Sequence, residues 1–271
     1  MRRRAADAPG AQGTAAGRRR LVLRRRKVFR ALLTYASAWI PAEKRWRMIR
    51  ALECCPPLFI VVMRIRHLEW QIVDRAADLV IEGYQSSGNT FARKAMEAAN
   101  PGARLASHIH SWAHVCHARM LRKPVVVLLR APEDAIASHM VRMGLDDPRR
   151  ELTRYATFYR GVERIRARCV IAPFPEVTTR YGDVIRRVND TFGTSFVPFD
   201  HDDPALTEAI FAEMDREMES IDSIWKVARP REERAAATAA VRARLQAPEL
   251  SAALARCQGL YQRLLRSAEG R

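Results

Sequence analysis

Five consecutive aliphatic residues, Val125-Val126-Val127-Leu128-Leu129, preceded by Pro124 and followed by Arg130-Ala131-Pro132, constrain the fold of this chain more than any other feature. The run has the length of a strand, and its lack of apolar–polar alternation means that both faces must be covered. Strands of that kind belong to parallel sheets with helices on either side. The surrounding sequence repeats the theme. After Ala76, short apolar runs at Asp78–Tyr84, Arg104–Ile109, Pro124–Arg130 and Cys169–Thr179 alternate with helix-period segments at Thr90–Ala99, Ser111–Leu121, Pro132–Met143, Asp147–Arg168 and Tyr181–Phe192. Strand and helix in alternation predict an α/β domain, a mostly parallel central sheet flanked by helices.

The first of these strands runs into Gly83-Tyr84-Gln85-Ser86-Ser87-Gly88-Asn89-Thr90 and then directly into a helix beginning Phe91-Ala92-Arg93-Lys94. A strand, a turn of small residues and a helix start aim several backbone N–H groups and the positive end of the helix dipole at one point, which is a phosphate site. The spacing Gly-x-x-x-x-Gly-x-Thr is that of a nucleoside-triphosphate loop, but Asn89 occupies the place of the lysine that reaches the β- and γ-phosphates. A P-loop kinase or hydrolase is therefore the disfavoured alternative.

About forty residues on, the aliphatic strand delivers Arg130, followed by a proline-started helix that carries Ser138. An arginine at the C-terminal end of a strand and a hydroxyl on the next helix offer a second anion a charged fork and a donor, at the sheet edge where open α/β sheets bind ligands. Two histidines, His108 and His110, follow the second strand. Imidazole titrates near neutrality and can take a proton from a hydroxyl. If the strand persists that far, the two share a face, and the sequence does not separate them. His110, His114 and His117 stand at i, i+4 and i+7, but no carboxylate or further cysteine completes a ligand set, and no metal is expected.

In this order and at this separation, the two anion motifs resemble the sulfotransferase superfamily, whose donor is 3′-phosphoadenosine 5′-phosphosulfate (PAPS). The resemblance is clear over residues 77–200. It implies a P-loop-like fold in which Gln85, Ser86, Ser87, Gly88, Asn89, Thr90 and Phe91 hold the 5′-phosphosulfate, Arg130 and Ser138 bind the 3′-phosphate, and His108, with His110 as competitor, is the catalytic base. The implied activity is sulfuryl transfer to a hydroxyl on a carbohydrate or small molecule. A third stretch, Thr179-Arg180-Tyr181-Gly182-Asp183, is similar to the family's Tyr-Glu-Asp-Leu segment, with Gly182 where glutamate is usual.

One departure bears on catalysis. The family places a lysine or arginine directly before the Ser-Gly pair to neutralise the leaving phosphate, and here that position is Ser86. Removing a preorganised electrostatic contact of this kind costs roughly 10²-fold or more in rate. Either another cation has moved in, or the chain is a nucleotide-binding member of the same fold with weak or no catalysis. Arg93-Lys94, Arg122-Lys123 and the cluster Arg229-Pro230-Arg231-Glu232-Glu233-Arg234 are the candidates.

Charge and hydropathy bound the rest. Of the net +17, about +10 lies in residues 1–30, which hold eleven basic residues against Asp7 alone. Residues 1–26 are expected to form a flexible basic arm able to touch an anionic membrane or polyanion by charge, with no specific nucleic acid implied. Residues 27–75 predict a helical extension, and 76–271 the α/β domain with a helical C-terminal part. The most apolar run, Pro57–Met63, is too short to span a bilayer. Five scattered cysteines without a C-x-x-C pair fit a reducing, cytoplasmic compartment, with peripheral membrane attachment as the sharper option.

Overall fold

The computed structural model describes residues 40–66, 71–219 and 234–269. The basic arm at 1–26, the helical spacing from Phe29 to Trp39 and the cluster from Arg229 to Glu233 lie outside the described residues. Within the extension, helices α1 (Ala42–Glu53) and α2 (Pro56–Arg66) are separated by Cys54 and Cys55. Phe59, Ile60 and Met63 of α2 are buried with Ile72 and Ala113 in a small core of their own.

From there the chain alternates strand and helix: β1 (Leu79–Gly83), α3 (Asn89–Ala99), β2 (Leu105–Ser107), α4 (Trp112–Met120), β3 (Val125–Leu129), α5 (Pro132–Met143), α6 (Pro148–Ile165) and β4 (Val170–Pro173). Then come α7 (Phe174–Thr179), α8 (Tyr181–Phe192), α9 (Pro204–Glu219), α10 (Ala235–Leu245) and α11 (Ser251–Glu269). The four strands form one sheet in the order β2-β1-β3-β4, and every neighbouring pair is parallel. This is the α/β architecture that the aliphatic run demands.

Successive side chains of a strand point to opposite faces, and β3 shows what that means when both faces are covered. Val125, Val127 and Leu129 join one core with α4, α5, α6 and α11, whereas Val126 and Leu128 join the other with α3, α8 and α9. All five are buried, the least of them to 1% exposure. Tyr155 and Tyr159 of α6 lean against the first core, and their hydroxyls donate to the carbonyls of Arg130 (2.7 Å) and Leu128 (2.8 Å), so α6 is tied to the end of β3.

Two sequence-based expectations need correction. The run Cys169–Thr179 is not one strand: β4 stops at Pro173, and Phe174–Thr179 is helix α7. Pro175 has no N–H for a sheet ladder, but its fixed φ suits the first turn of a helix. The second strand ends at Ser107 rather than Ile109, because His108 (φ 68°) and His110 (φ 54°) are left-handed and cannot continue a strand. Their shared face on an extended strand is therefore lost.

The order of strands fixes where a ligand can sit. The chain leaves β1 for β2 on one side and returns to β3 on the other, so a crevice opens at the C-terminal ends of β1 and β3, where the winding reverses. The loop after Gly83 and Arg130 lie at that switch point. The segment around Tyr181 is structural by comparison. Tyr181 is fully buried, and a Cβ on Gly182 would stand 2.5 Å from the Phe199 carbonyl oxygen, which explains the absence of a larger residue there. We predict that Gly182→Ala lowers stability by about 1–3 kcal/mol, the usual range for overpacking; a denaturation midpoint equal to that of the wild type would show that the Phe199 segment moves aside freely.

Candidate functional site

At the C-terminal end of β1 the loop needs two glycines for different reasons. A Cβ on Gly83 would meet Leu128 Cβ and O at 2.9 Å, so the close approach of β1 to β3 requires a bare backbone. Gly88, the N-cap of α3, has φ 91°, a conformation that side chains oppose. Ser86 is left-handed as well, with φ 60°. The first intrahelical bond of α3 is from Ala92 N–H to Gly88 O at 2.9 Å, so the N–H groups of Asn89, Thr90 and Phe91 precede it. Asn89 does not act as a phosphate-reaching side chain; its Nδ2 donates to Tyr84 O at 3.0 Å and braces the turn.

This loop is one wall of a cavity of about 340 Å³, within the range of small-ligand clefts. Ser86, Gly88, Asn89, Thr90 and Phe91 line it on one side, and Arg130 and Ser138 on the other. Gln85 and Ser87 are not part of the lining: Ser87 is fully buried behind the loop, and its N–H donates to Tyr84 O. Arg130 is held in place from three directions. Its guanidinium donates to Ser86 O at 2.7 Å and lies 4.1 Å over the Phe174 ring, while its carbonyl accepts from Tyr155. Ser86 lines the cavity, and its hydroxyl is buried without a hydrogen-bond partner among the described residues.

His108 and His110 both line this cavity, in edge-to-face contact with ring centroids 5.7 Å apart. What shapes their loop is Glu82, a charged residue with no exposure at the end of β1. Its carboxylate accepts from Ile109 N–H (3.0 Å), His110 N–H (2.8 Å) and His114 Nδ1 (2.9 Å). His114 Nε2 in turn accepts from Val73 N–H at 2.9 Å, so His114 is a neutral imidazole with its proton on Nδ1. Burial alone would push the Glu82 carboxyl up; the hydrogen bond from His114, the electrostatic influence of His114 and His110, and the Ile109 N–H together outweigh it and hold the carboxyl below its ordinary range.

The histidines differ in their ties. His110 Nδ1 donates to Gly83 O at 2.8 Å, which leaves the lone pair on Nε2. His108 Nδ1 is 2.7 Å from Ser107 Oγ, and its Nε2 is 3.3 Å from Thr90 Oγ1, directly on the phosphate loop. Burial, then the neighbouring His110, depresses the His108 pKa to about 3, so its imidazole is neutral at ordinary pH. A nearby anion would act in the opposite sense and raise its basicity. The spacing of His110, His114 and His117 does not make a metal face: α4 begins only at Trp112, and both ring nitrogens of His114 are already engaged.

Arg142, Thr238 and Arg242 line the cavity although the sequence did not single them out, whereas Arg234 belongs to a cluster that it did. Arg142 stands four residues after Ser138 on α5, hence on the same helix face. Arg234, the one described member of the basic cluster near the C-terminus, lines the cavity with Ala235, Thr238 and Arg242, which recur at helical spacing along α10. Arg242 pairs with Asp134 at 2.7 Å. The other candidate cations point elsewhere: Arg93 pairs with Glu97 and Lys94 with Glu213, both at 2.7 Å, and neither Arg122 nor Lys123 lines the cavity. Arg130, Arg142, Arg234 and Arg242 thus line the cavity with no carboxylate among the described lining residues, an environment that suits a ligand of several negative charges.

The Glu82 network yields a test. Its folded-state pKa is depressed, so its contribution to stability is present above the unfolded value and is lost as pH falls through the lower folded one. Glu82→Gln exchanges an anion for a neutral amide whose NH₂ group cannot accept, at a cost of about 1.5–3 kcal/mol at neutral pH for hydrogen bonds to a charged group. The stability difference between wild type and Glu82→Gln should therefore shrink as pH drops below about 4, measured by denaturant titration across pH; a difference independent of pH would show that Glu82 is not ionised in the fold.

No family model matches the chain, and no curated protein matches it in sequence. Among solved structures, the mouse sulfotransferase SULT7A1 complexed with PAP is similar over 72% of this chain and 90% of that one, with 10% identity and a TM-score of 0.47. At that distance, the functional case rests on the cavity and the residues that form it.

Proposed function

We propose that this chain is a sulfotransferase that moves a sulfuryl group from PAPS to a hydroxyl acceptor, a carbohydrate or small molecule. The observation that carries this reading is the convergence of three separately encoded features on one cavity: the loop from Ser86 to Phe91, the Arg130 and Ser138 pair, and His108. The donor bears a 5′-phosphosulfate and a 3′-phosphate, and the cavity offers N–H groups and a helix start to the first and a fixed guanidinium with a hydroxyl to the second. The four arginines among the described lining residues fit such a polyanion.

In this reading His108 is the base. With Nδ1–H donated to Ser107 Oγ, its Nε2 lone pair faces the loop hydroxyl of Thr90 at 3.3 Å, and an acceptor hydroxyl at that place gives its proton to Nε2. The acceptor oxygen bonds to sulfur as the bond from sulfur to the bridging oxygen breaks, and the electron pair leaves with adenosine 3′,5′-bisphosphate. Thr90, Asn89 and Phe91 hold the 5′ end through their backbone N–H groups, and Arg130 fixes the 3′-phosphate so that the sulfur is oriented toward His108. No metal is invoked in this chemistry.

Ser86 gives substance to a second reading, a nucleotide-binding protein of the same fold with slow or no transfer, because a hydroxyl supplies no charge to the leaving phosphate. A P-loop kinase is less well supported, since the Asn89 side chain is spent on Tyr84 O and no lysine stands in the loop.

Binding separates these readings. Adenosine 3′,5′-bisphosphate at about a hundred times its Kd should stabilise the protein by roughly 2.7 kcal/mol, and ATP should not; the reverse preference would favour the kinase. Arg130→Ala should weaken the bisphosphate by about 1.5–3 kcal/mol, and unchanged affinity would remove Arg130 from the site. Under saturating donor, His108→Ala should lower kcat by roughly 10²-fold or more; wild-type turnover in that variant would move the base to His110.

A further inference from the structure

The loop lacks a cation at Ser86, and helix α5 brings an arginine to the same cavity. Helix α5 carries Asp134, Ser138 and Arg142 at successive four-residue steps, one face of the helix, each step advancing about 6 Å. At the near end of this face Asp134 is bound to Arg242, close to Arg130. In the middle Ser138 lines the cavity, and at the far end stands Arg142. The guanidinium of Arg142 is close enough to both His108 and His110 to disfavour their protonation, and His108 touches Thr90 of the phosphate loop. Arg130 and Arg142 therefore serve different ends of one cavity, the second beside the base.

Arg142 also differs from the other candidate cations in what it binds. Arg93, Lys94 and Arg242 are engaged by carboxylates, and Arg130 by Ser86 O and Phe174. Among the described residues Arg142 makes no ion pair, and its Nε, like that of Arg130, is buried without a hydrogen-bond partner. A half-buried guanidinium with no carboxylate beside it among the described residues is better satisfied when a ligand supplies an anion, and a planar fork suits the oxygens of a phosphate or sulfate.

We propose that Arg142 binds the 5′-phosphosulfate end of the donor and supplies from α5 the positive charge that the loop lacks at Ser86. This rests on the nucleotide-donor reading above and goes beyond it by assigning the leaving-group cation to a different element of the fold. As negative charge develops on the bridging oxygen, Arg142 would stabilise it without giving or taking a proton. Burial and His110 chiefly keep His108 unprotonated, and Arg142 adds to them in the same direction.

Three ligands and two sets of variants test the assignment. Wild type and Arg142→Ala would be titrated calorimetrically with adenosine 3′-phosphate, adenosine 5′-phosphosulfate and adenosine 3′,5′-bisphosphate, with Arg142→Met as the substitute should the alanine variant fold poorly. The expected result is a loss of about tenfold to a hundredfold in affinity for the two ligands with a 5′ group, unchanged affinity for adenosine 3′-phosphate, and partial recovery in Arg142→Lys. Arg130→Ala should show the opposite pattern, losing the ligands with a 3′-phosphate and sparing adenosine 5′-phosphosulfate. If Arg142 variants bind all three ligands as the wild type does, or lose all three equally, the assignment of Arg142 is wrong while the donor site stands. If the wild type binds none of them, the donor reading itself falls.

Discussion

A single buried carboxylate holds the ends of three elements together. Glu82 has no contact with solvent, and an ion in that position is tolerable only where hydrogen bonds replace its hydration. Two of its donors are consecutive backbone N–H groups, Ile109 and His110, and the third is the His114 ring. Meeting those demands ends β2 early, turns His108 and His110 into left-handed residues and anchors α4 against β1. The next residue, Gly83, accepts from His110 through its carbonyl and opens the loop that runs to Thr90. The position of His108 and His110 relative to the loop from Ser86 to Phe91 is thus a consequence of one side chain in the core.

The sheet explains why that arrangement faces a ligand. With strand order β2-β1-β3-β4, the reversal of winding lies between β1 and β3, and everything that follows those two strands is brought to one crevice. Arg130 follows β3, the Ser86 loop follows β1, and α5 projects Ser138 and Arg142 into the same space. Helix α10 adds Thr238 and Arg242 along a face toward the cavity, and its N-cap residue Arg234 joins them. The dense positive charge that results is not spread over a surface but concentrated in a partly buried volume, where charge interactions are stronger than in water.

Much of this was legible from local pattern. Val125–Leu129 reads as a doubly covered strand because five aliphatic residues admit no other role, and Asp147 and Pro148 mark the start of α6 because an aspartate caps and a proline begins a helix. Arg130 and Ser138 stand out through their position after a strand and on the next helix. What could not be read depends on partners far along the chain. Nothing near Glu82 in sequence announces that it will accept from residues 27, 28 and 32 positions later. The break in β2 follows from that long-range pairing, so an apolar run ending in histidine looked longer than it is. Arg142 carried a signal, its four-residue offset from Ser138, but an exposed arginine near a helix end has the same spacing. Gly182 looked like a lost glutamate and is a packing requirement set by Phe199.

The central claim is that the cavity recognises a nucleotide through two separate anions, one at the loop and one at Arg130. The most direct measurement compares adenosine 3′,5′-bisphosphate with adenosine 5′-phosphate in calorimetric titrations of the wild-type protein, since the two differ only in the group assigned to Arg130 and Ser138. The account predicts that the bisphosphate binds about tenfold or more tightly, the worth of a charge-assisted contact. Equal affinity for the two nucleotides would contradict it.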